Sequence, residues 1–375
     1  MDSPAPPEIR TTEAAAPPRA APVAWAVLAW SAVALALGLG WAAGLLPPGV
    51  PADDGFGSLY RAWGTGAAAW ITLALGAAGA VCAVVMMRPG RGGRATACAA
   101  WGLSAAVVVL FVTGSLLAFL GYSMIMPVVG WFVPGLPGMW VEQVLDPENL
   151  GLFFFAAGAG LWAVAGLSAL RAARGACPDC GRDHGWTPGA EHATRVRALR
   201  VGRIAVAVAC LSSLAYPALR FPWLLGLTPG MGDDFAGVLR AEPGTLLLGV
   251  GLGSAAVAGT VLTTGLVLRW GVRFPFWAVG LAGRRVPVAL AVVPATAVAV
   301  ALVAMGRSII VQLALGQQGM TSSSDLHTWV FLGMAVWGAA LAVAVAAYAV
   351  RRRGACSVCG RGLPEAEPHD LRAAA

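Results

Sequence analysis

Eight long apolar stretches constrain this chain more strongly than any other feature. Of its 375 residues, 58% are hydrophobic and only 11% are charged, whereas soluble domains carry roughly a quarter charged residues. Each stretch can cross the ~30 Å hydrocarbon core of a bilayer as a helix of roughly 20 residues. The stretches are continuously apolar and do not alternate, which favours helices over barrel strands. We predict spans near residues 23–46, 65–87, 96–121, 149–170, 203–220, 244–268, 286–305 and 327–350.

The same nine-residue phrase, Arg-Gly-Ala-Cys-x-x-Cys-Gly-Arg, occurs twice, at 174–182 and 353–361. Seven of its nine positions are identical, and each copy directly follows an apolar stretch. Asp146 and Asp325 precede the fourth and eighth stretches with the same offset of 179 residues that separates the two phrases. These matches predict a tandem duplication in which each copy has four spans and ends in one CxxC knuckle.

A repeat with an even number of spans returns the chain to its starting side, so its copies are parallel. We therefore predict an all-α integral membrane protein with eight transmembrane helices in two parallel tandem four-helix repeats. Both ends of the chain are rich in Pro, Ala and Glu, which is typical of disorder. The predicted parts are a disordered cytoplasmic tail (1–22), the first repeat (23–182), a cytoplasmic linker (183–202), the second repeat (203–361) and a second disordered cytoplasmic tail (362–375).

The distribution of Arg predicts the orientation. All 25 basic residues are Arg, a composition typical of a GC-rich bacterial genome, and 21 of them fall in the two tails and in the second, fourth and sixth loops. The remaining loops hold Arg61, Arg220, Arg240 and Arg307. Because cytoplasmic loops carry the excess of basic residues, we expect a cell-membrane protein with both termini and both knuckles in the cytoplasm. Since topology accounts for the net charge of +7, we expect the lipid bilayer and a membrane or cytoplasmic protein as partners, and no nucleic acid.

The sixth loop differs from the matching loop of the first half. The first-half loop is short, from Arg88 to Arg94, whereas the sixth loop interleaves aromatic residues with Arg between Arg269 and Arg285. Such a composition suits a segment at the level of lipid headgroups, either in contact with anionic lipid or as an ordinary interfacial anchor.

The two CxxC phrases predict a metal site. Structural zinc sites hold the ion with four ligands in a tetrahedron, and thiolates are common ligands. Each knuckle supplies two sulfurs, and the Gly after the second Cys, Gly181 or Gly360, suits the backbone of the tight turn. We predict one structural Zn²⁺ bound by four cysteines on the cytoplasmic side, which clips the two halves together. The predicted ligands are Cys177, Cys180, Cys356 and Cys359.

Two alternatives for these cysteines remain open. Each knuckle could bind its own ion with nearby histidines, His184 and His192 in the first half or His369 in the second. The CxxC pairs could instead be redox-active, although no βαβ pattern of a thioredoxin-like unit surrounds them. The other cysteines, Cys82 and Cys98 in the first half and Cys210 in the second, are interpreted as small core residues of the spans.

Acidic pairs in the outer loops suggest a second site. Asp53 and Asp54 follow the first span, and Asp233 and Asp234 follow the fifth. If the repeats brought the pairs together, their oxygens could hold a cation such as Ca²⁺. We favour the local alternative, in which each pair caps a short outer helix with Arg61 or Arg240 nearby. Asp146 has a clearer structural role, because Asp-Pro-Glu has the form of a helix N-cap, a Pro at the first position and an acid in the first turn.

Three classes of function fit these patterns. The first is a non-enzymatic membrane scaffold, regulator or complex subunit, which fits spans that are poor in ionisable residues. The second is a permease for an uncharged or lipophilic solute, with hydroxyl groups such as those of Thr113, Ser115 and Thr263 along its path. The third is a membrane enzyme that uses the extracytoplasmic carboxylates. A central polar cavity would favour the permease, and converged outer Asp residues would favour the enzyme.

Overall fold

The protein is described here by a computed structural model, which covers residues 20–50, 56–64, 66–88, 93–130, 132, 135–231, 235–276, 278–316 and 326–365. Within these ranges the chain is helical, and its β-type pairing is a single antiparallel bridge between Arg273 and Arg285. The prediction of an all-α protein is confirmed. The helices are α1 (Ala20–Ala42), α2 (Ala67–Met87), α3 (Arg94–Phe111), α4 (Ser115–Val129), α5 (Leu136–Leu145), α6 (Pro147–Ala173), α7 (Pro188–Ser213), α8 (Ala215–Arg220), α9 (Phe235–Ala241), α10 (Pro243–Thr264), α11 (Val288–Leu315) and α12 (Leu326–Arg351).

Eight helices of the described chain are long and apolar enough to cross a membrane, namely α1, α2, α3, α6, α7, α10, α11 and α12. Between 11% and 39% of the most apolar window of each is buried inside the protein. Most of this apolar surface therefore faces outward, where it is favourable in lipid and unfavourable in water. The eight helices indicate a multi-pass membrane protein in a lipid bilayer.

The two largest of four apolar cores in the described chain each lie within one half. One core lies among α1, α2, α3 and α6, with Phe155 and Trp162 fully buried at its centre. The other lies among α7, α11 and α12, with Leu302 and Tyr348 at its centre. Helix α4 packs against α10 and α11 and so connects the first half of the chain to the second.

The third predicted span, 96–121, is two helices in the structure. An extended residue, Val112, ends α3, and α4 follows after a short interruption. Helix α11 supplies partners for the interrupted backbone. The Arg307 guanidinium donates to the carbonyl oxygens of Val109 (2.9 Å) and Val112 (3.0 Å), and the hydroxyl of Ser308 accepts from the N–H of Gly114 (3.0 Å). A side-chain cap from the other half of the chain therefore stabilises a break that the apolar pattern does not reveal.

Two further helices extend beyond their predicted spans. Helix α7 begins directly after Thr187, whose hydroxyl accepts from the N–H of Ala190 (3.2 Å). Most of the predicted linker 183–202 is therefore helical and continuous with the fifth span. Helix α11 continues past residue 305, so Arg307, expected in an outer loop, lies inside a membrane-spanning helix.

The predicted N-cap of the fourth span is confirmed. A carboxylate oxygen of Asp146 accepts from the N–H groups of Glu148 (3.1 Å) and Asn149 (3.4 Å), directly before α6. The other acidic residues of interest, Asp53, Asp54, Asp233, Asp234 and Asp325, lie outside the described residues.

Candidate metal centre

Both CxxC phrases fold into the same turn. The N–H of Cys177 donates to the carbonyl of Arg182 (2.9 Å), and the N–H of Gly181 donates to the carbonyl of Cys177 (2.8 Å). The second copy repeats both bonds at 2.9 Å. Gly181 and Gly360 have φ angles of 73° and 68°, a left-handed conformation that a side chain disfavours. The role predicted for the Gly after each second Cys is thus confirmed.

The two turns bring the four predicted cysteines together. The Sγ atoms of Cys177, Cys180, Cys356 and Cys359 all lie within 4.8 Å of one another. The Sγ atoms of Cys177 and Cys356 are 3.9 Å apart, and those of Cys180 and Cys359 are 3.6 Å apart. Each of these distances joins one knuckle to the other. Cys177 and Cys356 are buried, and the other two are half-buried.

The spacing of the sulfur atoms fits a tetrahedral ion. With a Zn–S bond of about 2.3 Å, two sulfurs at the corners of a tetrahedron lie about 3.8 Å apart. The distances of 3.6 and 3.9 Å fall on either side of that value, and both are far longer than the bond of about 2.05 Å in a disulfide. The four cysteines are free thiols in the structure and are placed to hold a metal ion.

The proton affinities of the thiols also favour a cation in their midst. Burial raises the pKa of Cys177, but hydrogen bonds from the N–H groups of Cys180 and Asp179 outweigh it and bring the pKa to about 7. Burial and hydrogen bonding to the other three sulfurs raise the pKa of Cys359 to about 12. One thiolate forms readily in this cluster, and its charge opposes ionisation of its neighbours. A bound cation removes that repulsion.

A buried ion pair next to the cluster connects the two halves. The guanidinium of Arg182 makes a two-pronged contact with the carboxylate of Glu191, at 2.8 and 2.9 Å, and this contact raises the pKa of Arg182. The free edge of the same guanidinium donates to the carbonyls of Gly354 (3.1 Å) and Arg361 (3.3 Å) in the second knuckle. Charge-assisted bonds of this kind are about twice as strong as neutral ones.

Arg195 extends this contact from α7. It lies one turn after Glu191 and approaches its carboxylate at 3.4 Å. Its guanidinium also donates to the carbonyls of Arg353 (2.6 Å), Leu363 (2.9 Å) and Pro364 (2.6 Å). The trio of Arg182, Glu191 and Arg195 was not predicted from the sequence. The Thr-Pro helix start at 187–188 and the Glu–Arg pair four residues apart were available signals.

The second knuckle makes weaker contacts in return. Arg361 donates to the carbonyl of Asp183 (2.8 Å) and contacts the ring Nδ1 of His184 (3.0 Å). The Sγ of Cys356 lies 3.6 Å from a carboxylate oxygen of Asp179. The Arg353 side chain donates to the carbonyl of Cys180 (3.4 Å). Both knuckles therefore lie in one interface. The side of the molecule that carries this interface, where α6 and α12 end, is the knuckle face.

Histidines do not join this cluster in the described part of the chain. His184 contacts Arg361 instead, and neither His184 nor His192 belongs to the group of sulfurs. His369 lies outside the described residues. Of the other cysteines, Cys82 is buried and Cys210 half-buried, as expected of core residues, but Cys98 is exposed on the surface of α3, so its assignment to the core is wrong.

A cavity of about 200 Å³ lies in the first half, near the break between α3 and α4. Its wall combines aromatic rings, among them those of Phe111 and Phe155, which stack with centroids 3.9 Å apart. The polar side chains of the wall are those of Tyr60, Thr113, Ser115, Tyr122, Gln143, Glu148 and Asn149. Two of the hydroxyl residues proposed for a solute path thus line a cavity, whereas Thr263 bonds the carbonyl of Gly259 in its own helix (2.8 Å).

Comparisons of the chain with protein-family models, with curated proteins and with solved structures find no match. The chemistry of the site is therefore inferred from its own atoms. Four thiols at tetrahedral spacing are typical ligands of zinc or iron.

Proposed function

We propose that the chain is a non-enzymatic multi-pass membrane protein, a scaffold, regulator or complex subunit, whose two four-helix repeats are joined by one structural Zn²⁺. The ligands are Cys177, Cys180, Cys356 and Cys359, on the cytoplasmic side. The observation that carries the proposal is the pair of sulfur–sulfur distances, 3.9 and 3.6 Å, between the knuckles. An ion bound there has two ligands from each half, so it cannot bind fully unless the halves are docked.

The surroundings of the cluster support a structural role rather than catalysis. Four protein ligands complete the coordination of zinc, whereas catalytic zinc keeps one position open for water or substrate. The buried charges beside the cluster, Arg182 and Arg195, donate to backbone carbonyls of the opposite knuckle. These groups hold the interface together and are not directed at an open site.

Metal analysis of the purified full-length protein tests the proposal. We expect about one zinc per chain and no visible absorption of the kind that iron–sulfur centres give. Cys356→Ser should lose the ion, because three thiolates and a hydroxyl hold zinc poorly. Cys98→Ser is the matched control, since Cys98 is exposed on α3 and is not one of the four clustered cysteines. Metal content far below one equivalent in the wild type, unchanged by Cys356→Ser, would refute the site.

A second function, a permease for an uncharged solute, is supported by the cavity beside the helix break. Interrupted helices in membrane proteins occur where backbone lines a cavity or is capped by protein. The cavity of about 200 Å³ is lined by hydroxyl and amide groups and the Glu148 carboxylate, as well as by aromatic rings. Such a wall suits a small polar molecule that carries no negative charge.

Swelling of proteoliposomes in a glycerol gradient tests this second function. Ala118 lines the cavity, so Ala118→Phe should slow any protein-dependent swelling, whereas Gly160→Ala, where an added methyl meets no atom within 4 Å, should not. Swelling no faster than that of protein-free vesicles would exclude glycerol permeation and leave the scaffold proposal standing.

A further inference from the structure

The segment between α10 and α11 forms a hairpin on the knuckle face. Its arms pair through the N–H of Phe274 with the carbonyl of Arg284 (3.0 Å) and through the N–H of Val286 with the carbonyl of Val272 (2.9 Å). The hairpin, defined here as residues 272–276 and 278–286, begins eight residues after the end of α10 and ends two residues before the start of α11. With arms of about seven residues, its tip lies no more than ~25 Å from its base.

Buried side chains at the end of α12 hold the base of the hairpin. The Arg352 guanidinium donates to the carbonyls of Gly271 (2.9 Å) and Val286 (2.9 Å), and the Tyr348 hydroxyl donates to the carbonyl of Gly271 (2.6 Å). The neighbouring Arg351 donates to the carbonyl of Leu266 (2.9 Å). These bonds attach both ends of the hairpin's base to the end of α12.

The tip presents apolar side chains that nothing in the described chain covers. Phe276 is 91% exposed and Val279 is 96% exposed, and Leu281 beside them is also exposed. Such side chains at the end of a fixed hairpin are unfavourable in water, at about 25 cal/mol per Å² of apolar surface. Their exposure indicates that another medium or molecule receives them.

The charge around the tip identifies that medium. Arg269, Arg273, Arg284 and Arg285 are all exposed on or beside the hairpin. The sequence contains no Asp or Glu between Pro243 and Ser324, and the Arg285 guanidinium pairs with the carboxylate of Glu365 (3.1 Å). Exposed apolar side chains on an Arg-rich hairpin that joins two membrane-spanning helices match anionic lipid, whose headgroups attract Arg while the acyl boundary accepts the apolar residues.

We propose that the hairpin tip inserts into the headgroup region of the bilayer on the knuckle face and binds anionic phospholipid there. Phe276 and Val279 enter the acyl boundary, and Arg273 and Arg284 contact phosphate oxygens. The inference is independent of the metal site, since it involves neither knuckle and requires no bound ion.

A fluorescent amino acid at position 279 of the full-length protein tests the insertion. The protein is reconstituted in phosphatidylcholine vesicles with or without phosphatidylglycerol. We expect quenching by lipids brominated near the glycerol backbone and protection from aqueous iodide. The same label at Ala193, an exposed position on α7, serves as the control and should be quenched by iodide. Iodide quenching at 279 equal to that at 193 would place the tip in water, as for a protein-docking surface, and would overturn the proposal.

Charge substitutions test the lipid class separately. Titration of phosphatidylglycerol into the labelled protein in neutral detergent gives an apparent affinity. Arg273→Gln and Arg284→Gln should each weaken it about fivefold, whereas Arg197→Gln on the exposed surface of α7 should not change it. Because all three arginines are exposed, their replacement leaves the core intact. An affinity unaffected by the two hairpin substitutions would refute recognition of the anionic headgroup.

Discussion

The two knuckles have nearly the same sequence and the same backbone bonds, yet they serve the interface differently. Arg182 in the first copy is buried, paired with Glu191, and donates to three carbonyls of the second knuckle. Its counterpart Arg361 is only half-buried and makes one carbonyl contact and one to a histidine ring. The difference arises outside the motif, because α7 comes after the first copy and supplies Glu191.

A motif of nine residues thus determines the local turn but not the role of each of its side chains. Bonds within the turn, such as that between the Gly181 N–H and the Cys177 carbonyl, depend on the phrase itself. Bonds that cross between the halves depend on the segment of chain that lies after each copy. Substitutions at matched positions of the two copies therefore test two things separately. One is the ion, which both knuckles bind, and the other is the set of side-chain bonds between the halves, which differs between them.

The largest effect is expected on the zinc content, from substitution of the cysteines that both knuckles share. If one ion joins the knuckles, Cys177→Ser in the first copy and Cys359→Ser in the second each remove one of its four ligands. Both variants should then fall to less than about a tenth of the wild-type zinc content, because structural zinc depends on its full ligand set. Metal analysis of both purified variants measures this. Retention of half of the metal in each variant would instead indicate a separate ion in each knuckle.

The next largest effect is expected on the free energy of unfolding, and only for a substitution in the first knuckle. Arg182→Ala leaves the buried Glu191 carboxylate without its main partner, which typically costs 3–5 kcal/mol, or about 4 kcal/mol here. Arg361→Ala removes contacts at a more exposed position and should cost less than about 1 kcal/mol. Thermal or denaturant unfolding in detergent of the metal-bound proteins compares the two. Equal losses would mean that the knuckles are equivalent in function as well as in sequence.

The sequence predicted the parts of the site that depend on local chemistry. The four cysteines and the left-handed glycines follow from the spacing of CxxCG, and Asp146 follows from the Asp-Pro-Glu start of α6. The interruption after Val112 was not predicted, because its partners, Arg307 and Ser308, lie almost two hundred residues away. Apolar composition specifies that a segment enters the membrane, but not whether a distant side chain caps a break in it.

The same contrast between matched segments extends to the third spans of the two halves. The first is interrupted and the second, α11, is continuous and supplies the cap. Arg307→Met removes two charge-assisted bonds to Val109 and Val112, for which we expect a loss of about 3 kcal/mol. Arg240→Met, at an exposed position of α9, is the control and should be close to neutral. The unfolding midpoint in detergent reports both. A neutral Arg307→Met would show that the break is stable without its cap.

The smallest difference in unfolding free energy is expected for the Arg at the first position of each nine-residue phrase. Arg174 is exposed, whereas Arg353 is half-buried. Among the described residues, the Arg353 side chain donates one bond, of 3.4 Å to the Cys180 carbonyl, and its Nε has no hydrogen-bond partner. Burial lowers the pKa of Arg353, although the Glu191 carboxylate acts in the opposite direction. A depressed pKa means that folding disfavours the charged form of this side chain, so its contacts do not fully offset its desolvation.

Removal of the Arg353 charge should therefore cost little despite its central position. Arg353→Gln keeps the backbone carbonyl that accepts from Arg182 and Arg195, so we expect a change within about 1 kcal/mol, and none for Arg174→Gln. The unfolding free energy of the metal-bound variants in detergent measures both. A loss as large as that of Arg182→Ala would show that the Arg353 side chain, and not only its backbone, joins the halves. Each knuckle would then contribute one Arg side chain, Arg182 or Arg353, that stabilises the interface and has no functional equivalent in the other copy.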